Sequence, residues 1–121
     1  MVQLLIVDDH PLVIDGLKTM LKDVGYIQIN GSVKNGRDAL VYLDEHPEVN
    51  VILLDINLPD TDGLRLCEQI RARNKCIKII GLTYVNEAGI ITQLIKRGAN
   101  GYLFKNMERE ELITAIDQVM D

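Results

Sequence analysis

The chain has 121 residues, a formal net charge of −5, 47% hydrophobic residues and 26% charged residues. This length suits one domain with a single core, and the acidic balance disfavours nonspecific binding to nucleic acid or to an anionic membrane. No apolar run approaches the length of a membrane span, and two cysteines are too few for a disulfide framework. We therefore expect a cytoplasmic protein with reduced thiols.

The first third of the chain predicts a strand, a helix and a second strand. Residues 4–7 are a continuous apolar run that ends at Asp8 and Asp9. Apolar residues then recur at helical spacing, and Gly25 is expected to end this helix. Residues 26–33 alternate apolar and polar side chains, which is typical of a half-exposed strand at the edge of a sheet.

The middle of the chain contains its most apolar strand. Asn35 can cap the helix that precedes this strand. Residues 51–54 are four consecutive apolar residues, which indicates a strand buried on both faces. The run meets Asp55 and then a loop rich in Pro, Asp and Gly, after which Asp62 or Thr61 can cap another helix.

The fourth unit repeats the same order of strand and helix. Residues 77–82 predict a strand that ends at Thr83. Asn86 is the expected N-cap of the next helix, and Gly98 is its expected stop signal.

The chain closes with a short predicted strand and a last helix. The strand covers residues 101–104 and ends at Lys105, and Asn106 is expected to cap the helix. Strand and helix thus alternate five times, which predicts an α/β fold, a flavodoxin-like (βα)5 three-layer sandwich with a parallel five-stranded sheet. Because the second strand is the polar one, we predict the strand order 2-1-3-4-5.

This order brings three carboxylates together at the carboxyl edge of the sheet. The first and third strands become neighbours, so Asp8, Asp9 and Asp55 converge. Their mutual repulsion must be relieved by a proton or a cation, and oxygen ligands with room for water suit Mg²⁺. Plainer interpretations exist: Asp8 and Asp9 could cap the helix that starts at Pro11, and Asp55 could be a solvated loop acid.

Two further strand ends add different chemistry at this edge. Thr83 offers a hydroxyl group and Lys105 offers a positive charge. Together with the acids, they are the groups that phosphoryl transfer needs to position and neutralise the phosphoryl oxygens. A carboxylate can itself accept a phosphoryl group, giving an aspartyl phosphate. No glycine-rich phosphate loop follows the first strand, so a nucleotide site is not indicated.

This set of strand-end residues resembles the receiver domain of bacterial two-component response regulators. The positions that carry the resemblance are Asp8, Asp9, Asp55, Thr83 and Lys105. The similarity covers residues 1–121, and the stretches 8–13 and 55–63 further resemble the NarL/FixJ (LuxR-type) subgroup. Regulators of that subgroup usually carry a C-terminal helix-turn-helix DNA-binding domain, and no such output domain lies within these 121 residues.

The resemblance implies a phosphoacceptor and a metal site. Asp55 would accept the phosphoryl group from a sensor histidine kinase. Asp9 and Asp55, with the main-chain carbonyl of Asn57, would bind Mg²⁺, and Asp8 would act largely through water. We therefore expect a signalling domain that is not an enzyme.

The resemblance also implies a conformational switch. Thr83 and Lys105 would bind the phosphoryl group, and Tyr102 matches an aromatic switch position that reorients with Thr83. The surface changed in this way would serve protein contacts, with a homodimer forming on phosphorylation, while DNA would be bound through the missing output domain. Tyr84 would either shield the phosphoryl group from water or cover the rim of the site.

Two other functional classes remain open. One is a Mg²⁺-dependent phosphohydrolase with Asp55 as its nucleophile. The common aspartate-nucleophile phosphatases have a second Asp two residues later as general acid, and here Asn57 occupies that position. The other class is an interaction module that works without phosphorylation, which the complete set of strand-end residues argues against.

Overall fold

The computed structural model describes residues 1–84 and 88–121, and in these residues strands and helices alternate along the chain. The strands are β1 (Val2–Val7), β2 (Ile27–Val33), β3 (Val51–Asp55), β4 (Lys78–Thr83) and β5 (Gly101–Phe104). The helices are α1 (Pro11–Leu21), α2 (Gly36–Glu45), α3 (Gly63–Arg73), α4 (Ala88–Lys96) and α5 (Arg109–Met120). In the part of the chain so described, no helix has the length and apolar character needed to cross a membrane.

The five strands form one parallel sheet in the order β2-β1-β3-β4-β5, which confirms the predicted order. β1 pairs directly with β3, and Val7 lies opposite Leu54. The next residues along these two strands are Asp8 and Asp55. The central pair of strands therefore delivers two carboxylates to the same edge of the sheet.

The sheet buries a separate apolar cluster on each face. Leu4 and Ile6 belong to the cluster under α1 and α5, whereas Leu5 and Val7 belong to the cluster under α2, α3 and α4. All four side chains have zero exposure, and each contributes about 1.5–3 kcal/mol through burial. Because β1 is buried on both faces, its sequence is continuously apolar rather than alternating.

β2 is the edge strand that its alternating sequence predicts. Ile27 is buried and Gln28 is exposed. The register with β1 shifts between Leu4 and Leu5, where the partner moves from Ile29 to Gly31. Beyond this shift, buried and exposed side chains no longer alternate regularly along β2.

Two of the predicted helix N-caps are confirmed. The Asn35 side chain accepts the backbone N–H of Asp38 at 2.8 Å, and the Asp62 carboxylate accepts that of Arg65 at 2.7 Å. Each bond satisfies one of the free N–H groups in the first turn of a helix. α4 ends as predicted before Gly98, whose φ of 111° lies in the left-handed region. The predicted cap Asn86 lies outside the described residues.

The predicted end of α1 at Gly25 is wrong. The helix ends at Leu21, and two turns follow it. The N–H of Val24 donates to the Leu21 carbonyl at 3.1 Å, and the N–H of Ile27 donates to the Val24 carbonyl at 3.0 Å. Val24 is buried in these turns. The helical spacing of apolar residues therefore continues past the end of the helix, which is why the sequence predicts too long a helix.

The predicted N-cap of α5 at Asn106 is also wrong, because the cap is Glu108. The Glu111 side chain accepts the backbone N–H of Glu108 at 3.0 Å, as in a capping box. Met107 is buried just before this cap. The apolar anchor therefore places the start of the helix two residues later than the polar residue alone suggests.

Candidate functional site

Three strand ends contribute buried charged side chains to the carboxyl edge of the sheet. Asp8 follows β1, Asp55 ends β3, and Lys105 follows β5. The Lys105 side chain is 1% exposed, and its Nζ lies 3.1 Å from Asp8 Oδ2 and 3.0 Å from Asp55 Oδ1. Both carboxylates have zero exposure. One ammonium group thus partly neutralises two buried acids.

Backbone hydrogen bonds continue past the strand ends and hold these residues in place. The N–H of Asp8 donates to the Val33 carbonyl at 3.0 Å. The N–H of Lys105 donates to the Thr83 carbonyl at 2.7 Å. Because the sheet ladder extends by a residue at both positions, the side chains start from a rigid edge.

Lys105 does not satisfy all the carboxylate oxygens at this edge. Asp9 Oδ1 and Asp55 Oδ2 are buried oxygens without a hydrogen-bond partner in the part of the chain that the structure describes. One donor atom from each of Asp8, Asp9, His10 and Asp55 lies within 4.8 Å of the other three. An unsatisfied buried carboxylate oxygen is costly, and a divalent cation removes that cost. The donor set therefore fits a cation that prefers oxygen ligands.

Asn57 lies next to this set. Its backbone N–H donates to Asp55 Oδ1 at 3.0 Å, which turns the chain directly after β3. Asn57 also lines an open cleft together with Asp9 and His10. The predicted metal residues Asp8, Asp9 and Asp55 thus lie together, and Asn57 lines a cleft with one of them, Asp9.

His10 also belongs to this cluster, although the sequence analysis does not single it out. Its ring Nδ1 lies 2.9 Å from Asp8 Oδ1 and 3.3 Å from Asp9 Oδ1. The same atom lies 3.7 Å from Asp55 Oδ2. Its position in the sequence could have indicated this contact. His10 directly follows the two acids at the end of β1 and precedes α1, so its ring can reach the carboxylates.

Asp8 also contacts the start of α1, where the sequence suggested that it could act as a helix cap. His10, not an aspartate, is the N-cap residue of α1, and its side chain makes no capping hydrogen bond. Asp8 Oδ1 accepts the backbone N–H of His10 at 2.8 Å. Asp8 therefore supports the start of α1 with one oxygen while its other oxygen faces Lys105.

Asp55 and Lys105 influence each other's pKa. Burial raises the pKa of Asp55, although the N–H of Asn57 and the ammonium group of Lys105 oppose that rise. Burial alone would lower the pKa of Lys105, but hydrogen bonds and charge attraction from Asp55 and Asp8 outweigh it, so this pKa is raised. Lys105 is therefore cationic at neutral pH.

Thr83 and two tyrosines complete the surroundings. Thr83 is buried at the end of β4. Tyr84 is more than half exposed, its ring centroid lies 4.8 Å from Lys105 Nζ, and its ring meets His10 edge to face, so Tyr84 covers the rim of the site. Tyr102 lies on β5 opposite Gly81 and is 42% exposed.

The fold and site define a doubly wound α/β domain with an acidic cluster and a lysine at the carboxyl edge of its sheet. The family of response regulator receiver domains matches residues 4–117. The nitrate/nitrite response regulator protein NarL of Escherichia coli K12 is 33% identical over 115 residues, which cover 95% of this chain and 53% of that protein. The response regulator GacA of Pseudomonas aeruginosa is 34% identical over 119 residues, which cover 98% of this chain and 55% of that protein.

Solved structures agree with this assignment. A DNA-binding response regulator of the LuxR family from Staphylococcus aureus has a TM-score of 0.90 and 27% identity, with full coverage of both chains. A chain of the CheX–CheY complex from Borrelia burgdorferi has a TM-score of 0.93, with 99% of this chain and 90% of that chain covered. At 21% identity the second likeness concerns the fold alone.

The chain belongs to the response regulator receiver domains, and its relatives are of the NarL/FixJ (LuxR-type) group. It spans about half the length of the curated relatives named above.

Proposed function

We propose that this receiver domain spans residues 1–121 and is the phosphoacceptor of a two-component system, with Asp55 as the residue that is phosphorylated. The observation that carries the proposal is the environment of the Asp55 carboxylate. It is fully buried at the end of β3, one oxygen contacts Lys105, and the other has no hydrogen-bond partner in the described ranges. A buried carboxylate beside a lysine and further acids is equipped to receive and hold a phosphoryl group.

The proposed reaction transfers the phosphoryl group from a phosphohistidine of a sensor histidine kinase in the cytoplasm. A bond forms between an Asp55 oxygen and phosphorus while the bond from phosphorus to the histidine nitrogen breaks. Lys105 Nζ, 3.0 Å from Asp55 Oδ1, would pass from the carboxylate to an oxygen of the phosphoryl group. Thr83, buried at the end of the neighbouring strand β4, would bind a second oxygen.

The proposed metal residues are Asp8, Asp9, Asp55 and Asn57. Asp9 and Asp55 would hold Mg²⁺ through oxygens that have no other hydrogen-bond partner in the described part of the chain, with the main-chain carbonyl of Asn57 as a further ligand and Asp8 acting largely through water. When bound, Mg²⁺ supplies positive charge that neutralises the phosphoryl oxygens.

The phosphohydrolase alternative is not favoured by the site. The position two residues after Asp55 is Asn57, whose amide cannot donate and recover a proton as a general acid does. Its backbone N–H is already bonded to Asp55 Oδ1. The matched relatives are response regulators, which are signalling proteins.

Acetyl phosphate tests the phosphoacceptor directly. Incubation of the chain with acetyl phosphate and Mg²⁺ is expected to add one phosphoryl group, detected by intact mass spectrometry and mapped to Asp55. Asp55→Asn, or EDTA added before acetyl phosphate, should each prevent labelling. Asp15→Asn, which changes an exposed acid on α1, should leave labelling unchanged. A phosphoryl group on any other residue would contradict the proposal.

A second experiment tests the switch proposed for Thr83 and Tyr102. Phosphorylation would draw the Thr83 hydroxyl toward the phosphoryl group and let Tyr102 reorient. Thr83→Ala is expected to bind beryllofluoride at Asp55 without the NMR shift changes at Tyr102 that wild type shows. Thr83→Ser, which keeps the hydroxyl, should restore them. Wild-type shift changes in Thr83→Ala would remove Thr83 from the switch.

The proposed output lies in protein contacts and in a further domain. The chain covers 53% of NarL and 55% of GacA, so we propose that the full-length protein continues into a C-terminal helix-turn-helix domain that binds DNA. With a net charge of −5, the receiver domain itself is not expected to bind DNA. Phosphorylation would act by changing a protein-interaction surface and promoting homodimerisation.

A further inference from the structure

The two central carboxylates contact two neighbours, Lys105 and His10, whose Nζ and Nδ1 atoms lie 3.4 Å apart. Asp8 Oδ2 and Asp55 Oδ1 face the Lys105 ammonium group at 3.1 and 3.0 Å. The opposite oxygens, Asp8 Oδ1 and Asp55 Oδ2, face the ring Nδ1 of His10 at 2.9 and 3.7 Å. Asp9 Oδ1 joins the His10 side at 3.3 Å. A cation attracted by the unpartnered oxygens would therefore share its surroundings with the imidazole.

The distances from His10 Nδ1 to the three carboxylate oxygens suit ligands of one metal ion. In an octahedral site with bonds of about 2.1 Å, neighbouring ligand atoms lie about 3.0 Å apart and opposite ones about 4.2 Å apart. The three distances from His10 Nδ1 to the carboxylate oxygens, 2.9, 3.3 and 3.7 Å, fall in or next to this interval. The ring nitrogen is thus placed as a neighbouring ligand, beside the three oxygens.

His10 is also available for this task. It is the N-cap residue of α1, but its side chain makes no capping hydrogen bond, so the helix does not require the ring. Its backbone N–H is tied to Asp8 Oδ1 at 2.8 Å, which fixes the base of the side chain beside the acids. The Tyr84 ring meets the imidazole edge to face on the open side.

We propose that His10 Nδ1 is a metal ligand, so that this site binds a divalent first-row transition cation such as Co²⁺ or Zn²⁺ with a larger preference over Mg²⁺ than an all-oxygen site would show. Imidazole nitrogen favours these cations, whereas carboxylate and carbonyl oxygens suit Mg²⁺. A metal ion is bound through the lone pair of Nδ1, so the ring would bind as the neutral tautomer that carries its single proton on Nε2. The inference rests on the metal site of the proposed function and adds its selectivity.

Co²⁺ is the probe, because it is paramagnetic and forms octahedral complexes. The ¹H NMR spectrum of the wild-type chain with one equivalent of Co²⁺ is expected to show a strongly shifted, exchangeable imidazole N–H signal from Nε2 of the ligated ring. Titration calorimetry then gives the Co²⁺ and Mg²⁺ affinities of wild type, His10→Asn and His46→Asn. Asn keeps a good N-cap for α1 and offers oxygen in place of nitrogen.

The expected result is a fall of about tenfold or more in the ratio of Co²⁺ to Mg²⁺ affinity in His10→Asn, the scale on which losing one partner weakens a metal site. His46→Asn is the matched control, since this second histidine stacks on Tyr42 and pairs with Glu48 away from the cluster, and its ratio should stay at the wild-type value.

Two results would overturn the inference: an unchanged affinity ratio in His10→Asn, or no shifted imidazole N–H in wild type. The second measurement needs no variant, so it stands even if a substitution harms folding. Mg²⁺-dependent labelling of Asp55 by acetyl phosphate is measured on the same samples. Intact labelling with an unchanged ratio rejects the His10 ligand alone, whereas a shifted N–H without labelling rejects the phosphoacceptor alone.

Discussion

Replacing Lys105 with methionine is expected to lower the free energy of unfolding at pH 7 by about 3–5 kcal/mol, the usual cost of removing one partner from a buried ion pair. Methionine keeps the apolar stem but removes the ammonium group that lies 3.1 Å from Asp8 and 3.0 Å from Asp55. Both acids have zero exposure and would lose their nearest cation. Urea unfolding of wild type and Lys105→Met measures the loss.

The stabilisation that Lys105 provides depends on pH. The pKa of Lys105 is raised above its ordinary value of 10.5, so its stabilisation is fully present below that pH and disappears only as the pH rises through the folded-state pKa. In Lys105→Met the deficit should shrink in acid, because protonation of a buried carboxylate relieves the repulsion.

Two further measurements control this experiment. Added Mg²⁺ should recover part of the lost stability of Lys105→Met, since the proposed Mg²⁺ site uses the same acids of the folded state. Lys18→Ala removes an exposed lysine from α1 and should change stability by less than about 0.5 kcal/mol. Equal losses in the two variants would show that the buried ion pairs contribute nothing.

Gly63→Ala is expected to lower the free energy of unfolding by about 1–3 kcal/mol, the range for overpacking a tight site, and to slow the proposed phosphorylation of Asp55. A methyl group on Gly63 would lie 2.5 Å from the Asp55 carbonyl oxygen and 2.5 Å from the Ile56 Cα. Both are backbone atoms, so no side-chain rotation relieves the clash. The Gly63 N–H also donates to the Ile56 carbonyl at 2.7 Å, which locks α3 against the end of β3.

Gly16→Ala is the matched control for this prediction. Gly16 lies inside α1, and a methyl group there meets no described atom within 4 Å apart from its chain neighbours and the adjacent backbone of its own helix. Removing a glycine from a helix interior should therefore stabilise the fold by about 0.5–1 kcal/mol. Urea unfolding and the rate of labelling by acetyl phosphate are measured for both variants. A stable, normally labelled Gly63→Ala would show that the chain after Asp55 can shift freely.

The order of strands and helices and the residues at the strand ends follow from local sequence patterns. Continuous apolar runs such as 4–7 and 51–54 are buried on both faces, and that burial is a local property of the pattern. The helix caps at Asn35 and Asp62 could also be predicted from the sequence, because each side chain accepts a hydrogen bond from a backbone N–H only three residues away. The polar character of β2 fixed the strand order, and with it the convergence of the acids.

Which side chains touch at that edge depends on the folded chain and cannot be predicted from local patterns. Contacts between Lys105 and Asp8, or between His10 and Asp55, join residues far apart in the chain, and their distances depend on strand register and on the ladder beyond the strand ends. The ends of α1 and the start of α5 were likewise set by the burial of Val24 and Met107, which a helical period or a capping residue does not encode. Local patterns encode burial and capping, whereas a site is made of distances across the fold.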